Sequence, residues 1–269
     1  MDDMIKMIAL DLDDTLLMED LSVPEEVVAS LKAAENRGVK VVIATGRIFP
    51  SARSYAALLG SESPVVCYNG SMIRTPDGGV IRSWQHEPET IREVAAFCKE
   101  RGLYLQAYAE DEIVVEKTVE KTLIDPDSKA TAIREMGDLT TADLLPSPKM
   151  MIFDTPERLA EIRPELETAF PDRFYLATSK NYLLEIMPRD VSKRNTLERF
   201  AEELGITREE VMACGDNTND REMVEWAGLG VSVANGVPEL KQVADYVAAR
   251  ERSWGVKEAV DRFVLRTGI

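Results

Sequence analysis

Ile5-Lys6-Met7-Ile8-Ala9-Leu10-Asp11-Leu12-Asp13-Asp14-Thr15 is the stretch that decides how this chain is read. The apolar run over 5–10 is short and breaks off in acids, so it predicts a buried strand that runs straight into Asp11. An Asp-x-Asp just beyond a strand puts two carboxylates within one turn of each other. One can serve as nucleophile and the other as acid or base. A solvated acidic loop after a strand has the same letters, so the pair needs company from elsewhere in the chain.

Working outward, 24–37 reads as a helix: Pro24 stands near its first turn, Val27, Val28, Leu31 and Ala34 recur at helical spacing, and Gly38 ends it. A second apolar strand over 39–43 ends in Ala44-Thr45-Gly46-Arg47, a helical stretch reaches Leu59, and a short strand over 65–68 ends in the turn Asn69-Gly70. Strands alternating with helices imply an α/β fold with a parallel sheet covered on both faces. Between about 84 and 186 the rhythm changes to two helix-like stretches and several alternating strands, among them 104–108, 149–154 and 183–186. This segment is expected to be an inserted α+β domain. From Ser192 the first rhythm resumes, with a helix to Leu204, a strand over 211–214, a helix over 221–227 and short strands over 230–233 and 246–247.

Ligands of open α/β sheets bind beyond the carboxyl ends of the strands. Three polar segments therefore belong with Asp11: Thr45-Gly46, with a hydroxyl and a close backbone approach to an oxyanion; Lys193, a cation just ahead of a helix; and Gly215-Asp216-Asn217-Thr218-Asn219-Asp220. The last supplies hard oxygen ligands of the kind Mg²⁺ selects. Alone it could be a helix cap. Four such segments in this order on these elements are expected to converge on one edge.

Of the 269 residues 45% are hydrophobic and 30% charged, enough apolar material for a sizeable core. The net charge of -16, from 48 acids against 32 bases, opposes nucleic-acid backbone and anionic membrane as partners. It also repels a phosphorylated substrate unless a cation, a lysine or backbone N–H groups compensate locally. Cys67, Cys98 and Cys214 are widely spaced without a CxxC pair, which fits a reducing, cytoplasmic setting. The start, Met1-Asp2-Asp3-Met4, is unlike a secretory leader, and no apolar run approaches the roughly 20 residues of a membrane span. His86 is the single histidine, so an HExxH zinc site is excluded.

Together, DLDDTLL, ATGR, Asn69-Gly70, Lys193 and GDNTND resemble the haloacid dehalogenase superfamily, and within it the Cof-type phosphatases with a type IIB cap. Met223, Ala227-Gly228, Ala234-Asn235 and Ala244-Asp245 also stand in familiar places, so the likeness covers nearly the whole chain. It implies a Rossmann-like catalytic core over 1–83 and 187–269 and a substrate-selecting cap over 84–186. It implies that Asp11 attacks phosphorus to form an aspartyl-phosphate, and that Asp13 protonates the leaving alcohol and then deprotonates the hydrolytic water. Leu12, Thr45, Gly46, Lys193 and Asn219 would hold the phosphoryl oxygens. Mg²⁺ would lie on the carboxylates of Asp11 and Asp216 and the backbone carbonyl of Asp13, with Asp220 orienting a ligand from behind. Two positions depart from the family: Asp14 stands where glycine is common, and Asp190 and Arg194 stand near Lys193 where glycines are common, which places an extra carboxylate and guanidinium near the expected rim.

A carboxylate attacking a phosphate dianion meets several kcal/mol of repulsion at a few ångströms, from about 332/(ε·r) with an effective dielectric near 20. Mg²⁺ and Lys193 would bring three positive charges to the same place, while distant surface charge is screened beyond about 8 Å. The expected substrate is a small phosphorylated metabolite, a sugar phosphate or a related ester. A phosphomutase would use the same motifs and differ only in its product, and a non-enzymatic phosphoacceptor module would carry its aspartate on a later strand and lack the cap. Trp84, Tyr104 and Tyr108 read equally well as core residues and as substrate platforms, His86 reads as a surface residue near the hinge, and Trp254 as a residue sealing a core. The oligomeric state is not encoded in these motifs.

Overall fold

The structure, a computed structural model, describes residues 5–59 and 64–267; the acidic start Met1-Asp2-Asp3-Met4 lies outside them. In chain order the first elements are β1 (Met7–Leu10), α1 (Glu25–Glu35), β2 (Lys40–Ala44), α2 (Phe49–Leu59), β3 (Val65–Cys67), β4 (Met72–Arg74) and β5 (Val80–Ser83). There follow α3 (Pro88–Glu100), β6 (Tyr104–Ala109), β7 (Glu112–Val115), α4 (Glu120–Leu123), β8 (Ile133–Glu135), β9 (Met150–Phe153), α5 (Pro156–Ala169), β10 (Phe174–Ala177) and β11 (Leu183–Pro188). The chain ends with α6 (Lys193–Glu203), β12 (Val211–Gly215), α7 (Arg221–Trp226), β13 (Leu229–Ser232), α8 (Pro238–Lys241), β14 (Tyr246–Val247) and α9 (Arg252–Ala259).

Among the described residues the strands form two sheets, with order β14-β13-β12-β1-β2-β3-β4-β5 and β10-β11-β9-β6-β7-β8. The first is parallel from β14 to β3 and turns antiparallel at the β4–β5 hairpin. Its apolar strands need cover on both faces, and the pleat sends alternate residues to opposite sides. Met7, Ala9, Val42 and Val66 pack with Leu197 and Phe200 of α6 and Met223 of α7. Ile8, Leu10, Val41, Ile43 and Val65 pack with Val27 and Leu31 of α1 and Val256 of α9. This is the expected α/β architecture.

The same alternation organises the second sheet. Leu105, Ala107, Met150, Ile152, Leu184 and Ile186 pack with Ile91 and Val94 of α3 and Ile162 and Leu166 of α5. Tyr108, Ile113, Met151, Phe153 and Leu183, on the opposite face, join the cluster that contains Tyr68, just after β3, and Met72 of β4. One face of the inserted sheet therefore looks toward the parallel sheet.

His86 departs from the sequence expectation. It is 4% exposed, a buried residue rather than a surface one. Its backbone pairs with Ser147, its Nε2–H donates to the Ile186 carbonyl at 3.0 Å, and burial pulls its pKa down to about 4, so the ring is neutral. Tyr108 is fully buried, whereas Trp84, Tyr104 and Trp254 are partly buried against the cores. All three cysteines are buried free thiols. Among the described residues, no helix is long and apolar enough to cross a membrane.

Candidate active site

Register brings the two ends of the chain together. Leu10 is paired with Ile43 on one side and Cys214 on the other, so Asp11, Ala44 and Gly215 stand level at one sheet edge. The Asp11 N–H continues the ladder to the Cys214 carbonyl at 3.1 Å. Beyond the edge, one carboxylate oxygen each of Asp11, Asp216 and Asp220 lie within 4.8 Å of one another, all three buried. The Thr15 hydroxyl donates to Asp216 Oδ1 at 2.7 Å. Asp220 Oδ2 accepts the backbone N–H groups of Asp216 and Asn217 at 3.1 and 3.2 Å and so pins the turn that carries Asp216. Gly215 makes room for this: a Cβ there would stand 2.5 Å from the Cβ of Asp220.

Lys193 reaches the acids from α6. Its Nζ lies 2.5 Å from Asp11 Oδ1 and 2.6 Å from Asp220 Oδ1, with the side chain 1% exposed. Burial works against its charge, but the two carboxylates outweigh that and raise its pKa. The acids are not neutralised in turn. Burial and the neighbouring Asp220 push Asp216 up to about 7, and the same two causes raise Asp11 despite Lys193. Such an excess of buried negative charge on oxygen donors is chemically suited to a hard divalent cation.

Asp13 has a different environment. Arg47 Nε and Nη2 donate to its two oxygens at 2.8 and 2.6 Å, and Arg47 Nη1 donates to Ser51 Oγ at 3.0 Å. Burial tends to raise the Asp13 pKa, but the guanidinium fork overrides it and the net shift is downward. Asp14, in the position where glycine is common, has φ +61. Its strain is borne by Arg252 Nη1 at 2.6 Å, Lys180 Nζ at 3.0 Å and an Asn235 side-chain N–H that donates to its carbonyl at 2.7 Å.

Thr45 is fully buried, and its hydroxyl accepts the Arg47 N–H at 3.1 Å. Asn69, held at φ +54, places its amide oxygen 3.0 Å from where a Gly46 Cβ would be and accepts the Asn219 side-chain N–H at 3.4 Å. The inserted sheet closes the opposite wall with Asp125, Asp127, Lys149, Met151 and Glu185. The cavity left between the walls is about 70 Å³.

Asp11, Asp13, Gly46, Asp216 and Asn219 thus line one cavity, with Lys193 and Asp220 immediately behind. The Leu12 side chain is buried in the core, so only its backbone can face the cavity. Arg194 and Asp190 do not reach the rim. They line a separate open cleft of about 610 Å³ with Asp172, Tyr175, Arg189 and Trp226; for Arg194 the reason is that one residue along a helix of 3.6 residues per turn rotates about 100° away from Lys193. Sequence reasoning assigned no role to Arg47, Asn69, Asp127, Lys149 or Glu185. ATGR and Asn69-Gly70 did mark the first two, whereas nothing in the pattern distinguished the other three.

The description of the haloacid dehalogenase-like hydrolases fits residues 8–260. The Streptococcus pyogenes serotype M6 protein M6_Spy0533 is 30% identical over 97% of this chain and 99% of its own. The phosphoglycolate phosphatase of Methanothermobacter thermautotrophicus is 29% identical over 97% of this chain and 99% of its own. A solved haloacid dehalogenase-like hydrolase from Bacteroides thetaiotaomicron superposes with a TM-score of 0.84 at 28% identity, covering 96% of this chain and 99% of that one. With the strand that runs into Asp11, Lys193 and the turn 215–220 all inside the matched region, the chain belongs to the haloacid dehalogenase-like hydrolase family.

Proposed function

We propose that this phosphatase hydrolyses monoesters of small phosphorylated metabolites through an aspartyl-phosphate on Asp11, with 84–186 acting as the cap over a core of 1–83 and 187–269. One observation carries the reading: Asp11, Lys193, Asp216 and Asp220, drawn from both ends of the chain, surround a single point at the sheet edge. An Asp11 oxygen attacks phosphorus, the P–O bond to the leaving alcohol breaks, and Asp13 supplies the proton that alcohol needs. Water then attacks the aspartyl-phosphate, giving its proton to Asp13 and releasing phosphate. Lys193 offsets the charge that gathers on the phosphoryl oxygens, with the Thr45 hydroxyl, the Leu12 and Gly46 backbone and the Asn219 amide around them. The carboxylates of Asp11 and Asp216 and the backbone carbonyl of Asp13 would hold Mg²⁺, while Asp220 fixes the turn behind. When bound, the ion supplies Lewis-acid stabilisation of the transferring group.

The test is phosphate release from p-nitrophenyl phosphate. Asp11→Asn is expected to remove turnover with the circular dichroism spectrum unchanged, and chelation is expected to silence the wild type until Mg²⁺ is restored. Turnover retained by Asp11→Asn excludes Asp11 as nucleophile, and indifference to chelation excludes the metal role.

A further inference from the structure

Three consecutive residues between β10 and β11 each bond to one of the two loops that carry the acids. The Thr178 carbonyl accepts the Thr218 hydroxyl at 3.1 Å, the Ser179 carbonyl accepts the Asn217 side-chain N–H at 3.0 Å, and Lys180 Nζ lies 3.0 Å from Asp14 Oδ2. The Leu183 N–H closes this connection into a turn on the Lys180 carbonyl at 3.0 Å.

The third contact differs from the other two because its receiving group is fixed in advance. Arg252 Nη1 donates to Asp14 Oδ1 at 2.6 Å, and the Asn235 side-chain N–H donates to the Asp14 carbonyl at 2.7 Å. Asn235 Oδ1 accepts the Arg252 backbone N–H at 2.9 Å, which closes the ring. Oδ2 is then left for the inserted domain, where Lys180 takes it. Asp14 has φ +61, a conformation that glycine enters freely and aspartate enters at a cost. A glycine there would offer no carboxylate to Lys180. Strain kept beside reacting groups points to a use for the side chain. Asp14 also shares the turn Leu12–Leu16 with Asp13, directly after Asp11.

We propose that Asp14 is a positioning residue whose pair with Lys180 clasps the inserted domain onto the loop of Asp11 and Asp13, so that closing the domain and ordering that loop are one event. The kinetic consequence rests on the phosphatase reading. Substrate enters the parted form and is trapped by closure, so a weaker clasp raises KM more than it lowers kcat. A purely local role for Asp14 is separable from this one. Asparagine tolerates the left-handed backbone and keeps an oxygen for Arg252, but it offers Lys180 no charge.

The experiment is a double-mutant cycle of Asp14→Asn and Lys180→Met in the full chain, read by p-nitrophenyl phosphate kinetics. Each single variant is expected to raise KM about three- to fivefold at low salt, the reach of a half-exposed ion pair, with a smaller change in kcat. The double variant should match the single ones, and Lys180→Arg should match the wild type. High salt should narrow the gap, because screening removes from the wild type what the variants already lack. Amide exchange without substrate reads the coupling directly. Lys180→Met should speed exchange at Leu17, whose N–H closes the 12–16 turn on the Leu12 carbonyl, and Asp14→Asn should speed it at Leu183. Unchanged KM in both single variants, additive effects in the double one, or exchange altered only on the substituted side overturns the clasp. Where Asp14→Asn does not fold, Lys180→Met and exchange at Leu17 decide. A wild type that releases no phosphate removes the phosphatase reading, while exchange still decides the clasp.

Discussion

Arg47 is the side chain whose role is least apparent from its place in the sequence and clearest from its bonds. Its two-pronged grip holds Asp13 as the carboxylate, the form that can take a proton from water. Because a guanidinium is always charged, this grip keeps Asp13 ionised at lower pH than an ordinary aspartate. Lysine at this place would keep a charge but lose the fork. The step that kcat/KM reports, departure of the leaving alcohol, needs Asp13 protonated, so Arg47→Lys is expected to raise the Asp13 pKa and move the alkaline limb of the kcat/KM profile upward by about one pH unit, since an opposite charge at this distance lowers a carboxyl by roughly one to three units. A uniform loss of rate with the limb unmoved would show that Arg47 acts elsewhere. Asp11, Thr45, Lys193 and Asp216 were legible because each follows an apolar strand or opens a helix, where chemistry collects in α/β folds. Lys149 and Glu185 were not legible. Each is a single charge within or beside an apolar strand, and only pairing between β9 and β11 reveals that they face each other.

Among the elements, the start of α6 is held by a close approach to a glycine in another segment. Gly70 has φ +106, and a Cβ there would lie 2.5 Å from the Ser192 carbonyl oxygen. The Thr196 hydroxyl closes the contact on the Gly70 carbonyl at 2.8 Å. Gly70→Ala must push the start of α6 outward and carry Lys193 with it. A fall in kcat of at least tenfold is expected, with a stability loss of about 2–4 kcal/mol in a denaturant titration. Gly102→Ala is the contrasting variant. It also has a left-handed backbone, φ +63, but nothing within 4 Å of its Cβ position, so about 1 kcal/mol of stability should go while kcat stays. Equal effects of the two would mean that backbone strain, not the close approach, governs Gly70. The parallel strands were legible because they are apolar on both faces. The β4–β5 hairpin was not, despite Thr75-Pro76-Asp77-Gly78 between its strands, because Val80–Ser83 is largely exposed and carries no apolar period. His86 was misread for a related reason: a polar letter beside a strand end says nothing about the carbonyl waiting for it.

Over the whole molecule, a cavity of about 70 Å³ is far smaller than the roughly 300–1,000 Å³ of ordinary ligand pockets, so a metabolite can enter only if the two sheets part. Besides the apolar contact of Tyr108 with Tyr68, polar ties join them: Asn217 and Thr218 side chains donate to the Ser179 and Thr178 carbonyls, Lys180 pairs with Asp14, and Asp127 accepts from Ile48. A further tie, outside the residues that line the cavity, is on the β6–β7 turn, where Asp111 accepts Arg74 Nη1 at 2.7 and 2.6 Å and the Tyr68 hydroxyl at 3.1 Å. This pair is partly exposed, so its loss is worth about 1 kcal/mol or less, which is up to roughly a fivefold shift from closed toward open. Asp111→Asn is expected to raise KM by a few-fold at low salt and to speed amide exchange in β4 and the β6–β7 turn. The thermal midpoint should move little, because both hydrophobic cores are untouched. Raising the ionic strength should reproduce part of the effect in the wild type and less in the variant, since screening weakens an exposed ion pair that the variant no longer has. If the variant's KM and exchange match the wild type's at every salt concentration, closure is governed by the cavity-side contacts alone.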